Sequence, residues 1–179
     1  RESNAMSPVY RQSVGTALYR RSLYSVWKRT APLPNMTVFD VPTRDVCTVA
    51  RRDTNTPLQA LVLLNGPQFV EAARKLSETI VAKHVASETN QSQEFGSIKA
   101  IAVDIFRSLT SRHPTQAETK IVVELYENQL AVFKRDDAAA QELLSVGASK
   151  SETDFPASLA AWTSVTSTLM NFDECVMKR

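Results

Sequence analysis

Seven residues just ahead of the first strong helix signal could do chemistry: Asp40, Arg44, Asp45, Arg51, Arg52, Asp53 and Asn55. Arginine forks match the oxygens of carboxylate, sulfate or phosphate. The helix start at Thr56 adds backbone donors close by. Arg44, Arg51, Arg52, Asp53 and Asn55 are therefore the candidate ligand-binding set, with an anion or a sugar as the ligand. The competing expectation is a self-satisfied network. A long irregular segment must pair its backbone polar groups somehow, and opposite charges at 40–55 can do so internally. One arginine of Arg44, Arg51 and Arg52 should then bond Asp40, Asp45 or Asp53.

Other chemistry finds little support. The two histidines, His84 and His113, lack HxxxH or HExxH spacing and a neighbouring cysteine. They make neither a metal site nor an acid–base pair. Cys47 and Cys175 form no CxxC or CxxCH, so no zinc knuckle or covalent haem site is expected in this chain. They read as two separate, mostly buried thiols, with a disulfide between them as the alternative. No G-x-S-x-G elbow is present. Asp136-Asp137 and Asp173-Glu174 fall at helix ends, where capping accounts for them. The aromatic residues Tyr10, Tyr19, Tyr24, Trp27 and Phe39 could line a sugar groove; core packing or contact with a preceding domain explains them better. No catalytic residue, cofactor or metal is assigned.

The elements that must position these residues are helical. A chain of 179 residues with 43% apolar side chains can bury one sizeable core. Its net charge of +2, from 21 basic and 19 acidic residues, is no footprint for nucleic acid. The apolar run 58–64 is far too short to span a membrane. Residues 1–6 resemble an expression-tag remnant and are set apart. An extended segment with the polar loop fills 7–55, and a helical bundle fills 56–179, as one domain overall.

Residues 16–29 fit a strand or a helix face, and aromatic enrichment favours strand. Residues 36–39 read as a short partner strand. Thr56-Pro57-x-Gln59 is a capping box with proline in the first turn. The apolar residues after it predict a helix buried nearly all round, the structural centre, in which Leu61→Ala costs more than Thr56→Ala. Asn65 is expected to cap the next helix, whose stripe runs Phe69, Ala73, Leu76, Ile80 and His84. Further helices follow from Ile98–Leu109, from the Thr115–Glu118 capping box to Phe133, from Asp136 or Asp137 to Leu144, and from Pro156 to Phe172. The fold class is mainly α, an irregular bundle of five or six helices after an extended segment or short β-ribbon.

Three blocks carry a family resemblance: YRRSLYSVWKRT at 19–30; FDVP at 39–42 with RDVCTV at 44–49 and Arg51-Arg52; and TNTPLQAL at 54–61 with Leu64-Asn65 and FVEAA at 69–73. RHPTQAE at 112–118 and LAAWT at 159–163 fit its later part. The chain resembles the PSD-type domain of unknown function at the C-terminal end of planctomycete cytochrome-c-domain proteins. The resemblance implies a large secreted or periplasmic parent with further domains upstream. Any haem would sit in one of those, and polysaccharide is a possible substrate of the parent. It supplies no catalytic residues. The function it supports is a non-catalytic structural or interaction module; the alternative is part of a substrate-binding site for an anionic or sugar ligand. Its partners would be the upstream domains of the parent.

Overall fold

A computed structural model of the chain describes residues 13–25, 27, 32–42, 46–50, 54–87, 94–151 and 153–176, without the side chains of 87 and 94–97. Two compact units result, Arg1–Thr54 and Asn55–Arg179.

In the first unit, Gly15–Ala17 and Ser22–Tyr24 are short 3-10 turns, and α1 spans Pro34–Val38. No strand occurs among the described residues, so helical turns take the place of the β-ribbon. The signal misread at 36–39 is Pro34. It occupies the first helical turn, where a missing N–H costs nothing, and so it starts a helix rather than ending a strand. Asp40 follows in the left-handed region at φ 54°, a conformation Asp tolerates better than most residues. Its carboxylate accepts from the backbone N–H of Thr54 at 3.1 Å and from the Thr54 hydroxyl. Asp40 thus ties the two ends of the polar loop together.

The second unit is mainly α. Six helices of nine residues or more form it: α2 (Pro57–Asn65), α3 (Pro67–Ser87), α4 (Glu94–Thr110), α5 (Gln116–Phe133), α6 (Asp137–Ser145) and α7 (Pro156–Met170), followed by one short turn, α8 (Asp173–Val176). Local sequence sets most of the ends. Both capping boxes form: the Thr56 hydroxyl accepts from Gln59 N–H at 3.3 Å and the Gln59 amide oxygen accepts from Thr56 N–H at 3.0 Å; Thr115 and Glu118 do the same. Asp136 caps α6 by accepting from Ala139 N–H at 2.9 Å. Asn65 behaves differently from the expectation. It ends α2 and donates back to the Leu61 carbonyl at 3.0 Å, and Gly66 makes the joint to α3. A Cβ on Gly66 would lie 2.7 Å from the Val62 carbonyl oxygen, so only glycine lets the two helices meet this closely.

The centre of the unit is α7. Leu159, Ala160, Ala161, Trp162, Thr163, Val165, Thr166 and Leu169 are all buried. Burial nearly all round is what an Ala- and Ser-rich apolar helix permits, since short side chains let neighbours approach closely. It packs most extensively on α3 and α5 and also meets α2, α4, α6 and α8. Against α3, the buried Ser77 and Thr166 hydroxyls share a 2.8 Å hydrogen bond, and each residue is small enough to allow it. Against α5, the Trp162 ring stacks on Tyr126 with centroids 4.0 Å apart. Tyr126 keeps its hydroxyl satisfied through Ser158 at 2.9 Å.

The expectation that α2 is the buried centre is therefore overturned. Leu58, Leu61 and Leu64 are 53%, 56% and 46% exposed, while Gln59 is 2% exposed. A nine-residue helix made almost wholly of apolar residues has no amphipathic stripe from which its inner face can be read. Here its capping demand pulls Gln59 inward, and Leu63 is buried with it. Leu58, Leu61 and Leu64, at spacings of three, are left on the outside.

Candidate functional site

The second unit carries an arginine clasp, a polar cleft and an outward apolar face on α2.

The clasp is centred on Arg112, at the turn between α4 and α5. Its Nη1 and Nη2 donate to the two oxygens of Glu118 at 2.9 and 2.7 Å. Its Nε and Nη2 donate to Glu174 on α8 at 2.7 and 3.2 Å. The guanidinium also lies 4.9 Å above the Phe106 ring, and Phe106 in turn meets Phe172 at 6.2 Å. Glu118 has a second duty, since it accepts from Thr115 N–H and Oγ1 at 2.7 and 2.9 Å. One carboxylate thereby caps α5 and anchors the arginine. The Arg112 fork, then the Thr115 backbone, holds Glu118 well below the ordinary 4.5, at about 2, and Arg112 is raised in return. Every fork position is spent inside the fold, so the clasp joins α4, α5 and α8 and is not open to a ligand.

The sign of the acid response follows. A carboxyl depressed on folding lends stability that is fully present above its unfolded value and is lost as pH falls through the folded one. The Glu118 contribution should therefore fade from pH 4.5 toward about 2. Urea midpoints measured across that window should drop less steeply for Glu118→Gln than for the wild type. Parallel curves would show that the clasp does not couple to folding.

The cleft lies between α3 and α4 and has a volume of about 340 Å³, lined by Ile80, Lys83, Asp104, Arg107, Ser108 and Ser111. Asp104 Oδ2 accepts from Lys83 Nζ at 3.1 Å and meets His84 Nε2 at 3.0 Å. Burial pushes this carboxyl up, but the bonds from Lys83 and His84 outweigh it and hold the group below its usual value. His84 is thus half-buried at the core edge and paired, as its place on the α3 stripe suggested. The cleft residues come from two helices some twenty positions apart and match no motif; only the register of one helix against the other brings them together.

The sequence-derived ligand set fares differently residue by residue. Asn55 donates to Asp173 Oδ1 at 3.2 Å, a bond to the start of α8. Arg44, Arg51, Arg52 and Asp53, and with them Asp45, lie outside the described residues. Tyr19 and Tyr24 are exposed, Trp27 and Phe39 are half-buried, and Tyr10 lies outside the described residues. Cys47 and Cys175 are free thiols, but contrary to the expectation of burial Cys47 is exposed and Cys175 only half-buried; burial pushes the Cys175 thiol up. Among the described residues no group of three His, Cys, Asp or Glu side chains is placed to hold a metal ion, and no helix is long and apolar enough to cross a membrane.

Against known families, residues 2–126 match PSD1, a protein of unknown function (DUF1553). The chain belongs to the PSD1 family. No curated protein and no solved structure matches it. The PSD1 match takes in the TNTPLQAL and RHPTQAE blocks and stops before LAAWT at 159–163. The structure gives these blocks physical tasks. Thr56 and Gln59 build one capping box, Thr115 and Glu118 build another, and Arg112 closes the clasp on Glu118. These polar motif residues serve the fold. What the PSD1 block leaves unspent is the row of leucines on α2.

Proposed function

We propose that this PSD1 chain is a non-catalytic interaction module of a larger extracytoplasmic protein, and that the α2 leucines seat against a preceding domain of the same parent. The observation that carries this reading is the inverted polarity of α2: its glutamine is buried and three of its leucines face out. Burying a leucine is favourable by about 1.5–3 kcal/mol, so three left in solvent on one short helix describe a surface awaiting cover. The family resemblance supports the choice of partner, because it implies a C-terminal position behind other domains in planctomycete cytochrome-c-domain proteins. Any haem then belongs to the preceding domain, and polysaccharide, if it is a substrate, belongs to the parent.

The test is calorimetric titration of the separately produced preceding domain into this chain. Saturable binding is expected, weakened at least about tenfold, some 1.4 kcal/mol, in Leu58→Ser/Leu61→Ser. Absence of binding, or equal binding by that variant, would overturn the reading.

A further inference from the structure

From Thr54 to Val70 the chain carries no charged or titratable side chain. All of α2 and the joint at either end fall inside that stretch. Its exposed residues are ordered. Leu58, Leu61 and Leu64 stand in the middle, and the amides Asn55, Asn65 and Gln68 stand toward the two ends. An apolar centre depleted of charge, inside a polar rim, is the anatomy of a protein interface. A helix that lies in a membrane surface instead sets Lys and Arg beside its apolar face, and α2 has neither.

The spacing says more about the partner. Leucines three apart form one ridge of the i±3n kind. The row four apart through Leu61 offers Pro57 and Asn65, so the leucine ridge is the prominent one. Such a ridge fits the groove between i±4n rows of another helix, and the two axes then cross at about 20°. Two copies of the same ridge would mesh near a right angle, the rarer class. The nine residues of α2 span only about 13 Å, so a perpendicular neighbour would centre on Leu61 and cover less of Leu58 and Leu64. A second copy of this chain therefore fits the face worse than a foreign helix does. The capping box holds the first turn through Thr56 and Gln59, which presents the ridge already formed and lowers the ordering cost of binding.

We infer that the α2 ridge is received by a single helix of the preceding domain, lying within about 20° of α2. The groove of that helix is lined by uncharged apolar residues, and no ion pair forms across the contact. This rests on the seating of α2 against that domain and specifies the geometry and chemistry of the seat. All three leucines then touch the partner, and salt has no attraction to screen.

The test repeats the calorimetric titration of the preceding domain with three single variants and at two salt concentrations. Leu58→Ala, Leu61→Ala and Leu64→Ala each shorten an exposed side chain and should stay folded. Each should weaken binding about fivefold or more, with Leu61→Ala the largest. The affinity of the unaltered chain should change less than about twofold between about 50 and about 500 mM sodium chloride. A loss confined to Leu61→Ala would make the neighbour perpendicular, and a steep fall with salt would put charges in the contact. Either result overturns this inference while α2 remains the docking face. Sedimentation of the chain alone as a dimer that Leu61→Ala dissolves would give the ridge another occupant and overturn it as well. So would co-sedimentation with vesicles of phosphatidylcholine and phosphatidylglycerol. No binding by the preceding domain, or equal binding by all three variants, removes the docking itself and this inference with it.

Discussion

Trp162→Ala will cost the second unit about 3–5 kcal/mol. Trp162 is 1% exposed at the middle of α7, the helix that meets α2, α3, α4, α5, α6 and α8. Truncation removes an indole and leaves a void in the core that the packed helices cannot fill without moving. It also ends the stack on Tyr126, whose planes are inclined by only 17°, an arrangement worth about 0.5–1.5 kcal/mol beyond area. Domains are stable by only about 5–15 kcal/mol, so the variant should lose a large share of its urea midpoint. Trp162→Phe should keep more of it. A loss under about 1 kcal/mol for Trp162→Ala would mean that α7 is not the centre of the unit.

Glu71→Ala should be of similar size, for a polar reason. Glu71 is buried on α3 and accepts from the backbone N–H groups of Ala148 and Ser149 at 3.1 and 2.8 Å. One turn on, the fully buried Arg74 donates to the Ser149 carbonyl at 2.7 Å and hydroxyl at 2.9 Å, and to Glu78 at 2.8 Å. Together they clamp the segment between α6 and α7 onto α3. That segment comes so close because Gly147 adopts φ 104° and has no Cβ; one would lie 2.6 Å from the Glu71 carboxylate. Removing the carboxylate strands two backbone donors, and hydrogen bonds to charged groups are worth about 1.5–3 kcal/mol each. A cost of about 3–5 kcal/mol follows by denaturation, with Glu71→Gln intermediate because it keeps one acceptor. Glu71→Ala within about 1 kcal/mol of the wild type would show the clamp to be decorative.

What the sequence revealed depended on distance along the chain. The two capping boxes, the Asp136 cap and the start at Pro156 are local signals, and each sits where the residues said. The mainly α class followed from helical spacing. Short-range ambiguity caused the error at 34–38: Pro34 stops one kind of element and starts another, and only its neighbours decide. The inward face of α2 was illegible because seven apolar or proline residues among the nine from Thr56 to Leu64 leave no contrast to read. The clamp of Glu71 and Arg74 on 147–149, and the pairing of Lys83 and His84 with Asp104, join residues about twenty to eighty positions apart. Neither leaves a pattern in one sequence. Arg112 and Glu118 are close enough in sequence to have been paired in advance, and RHPTQAE contains both.

The outward face of α2 is the central claim, and two single substitutions test it directly by urea denaturation at one pH. Thr56→Ala removes the hydroxyl that caps α2 and should cost about 0.5–2 kcal/mol. Leu61→Ala shortens a side chain that is 56% exposed and should stay within about 0.5 kcal/mol of the wild type. The account predicts that the cap is the larger effect. A greater loss from Leu61→Ala, in the range of about 2–5 kcal/mol that a buried leucine gives, would place Leu61 in a core and leave no free face for a partner.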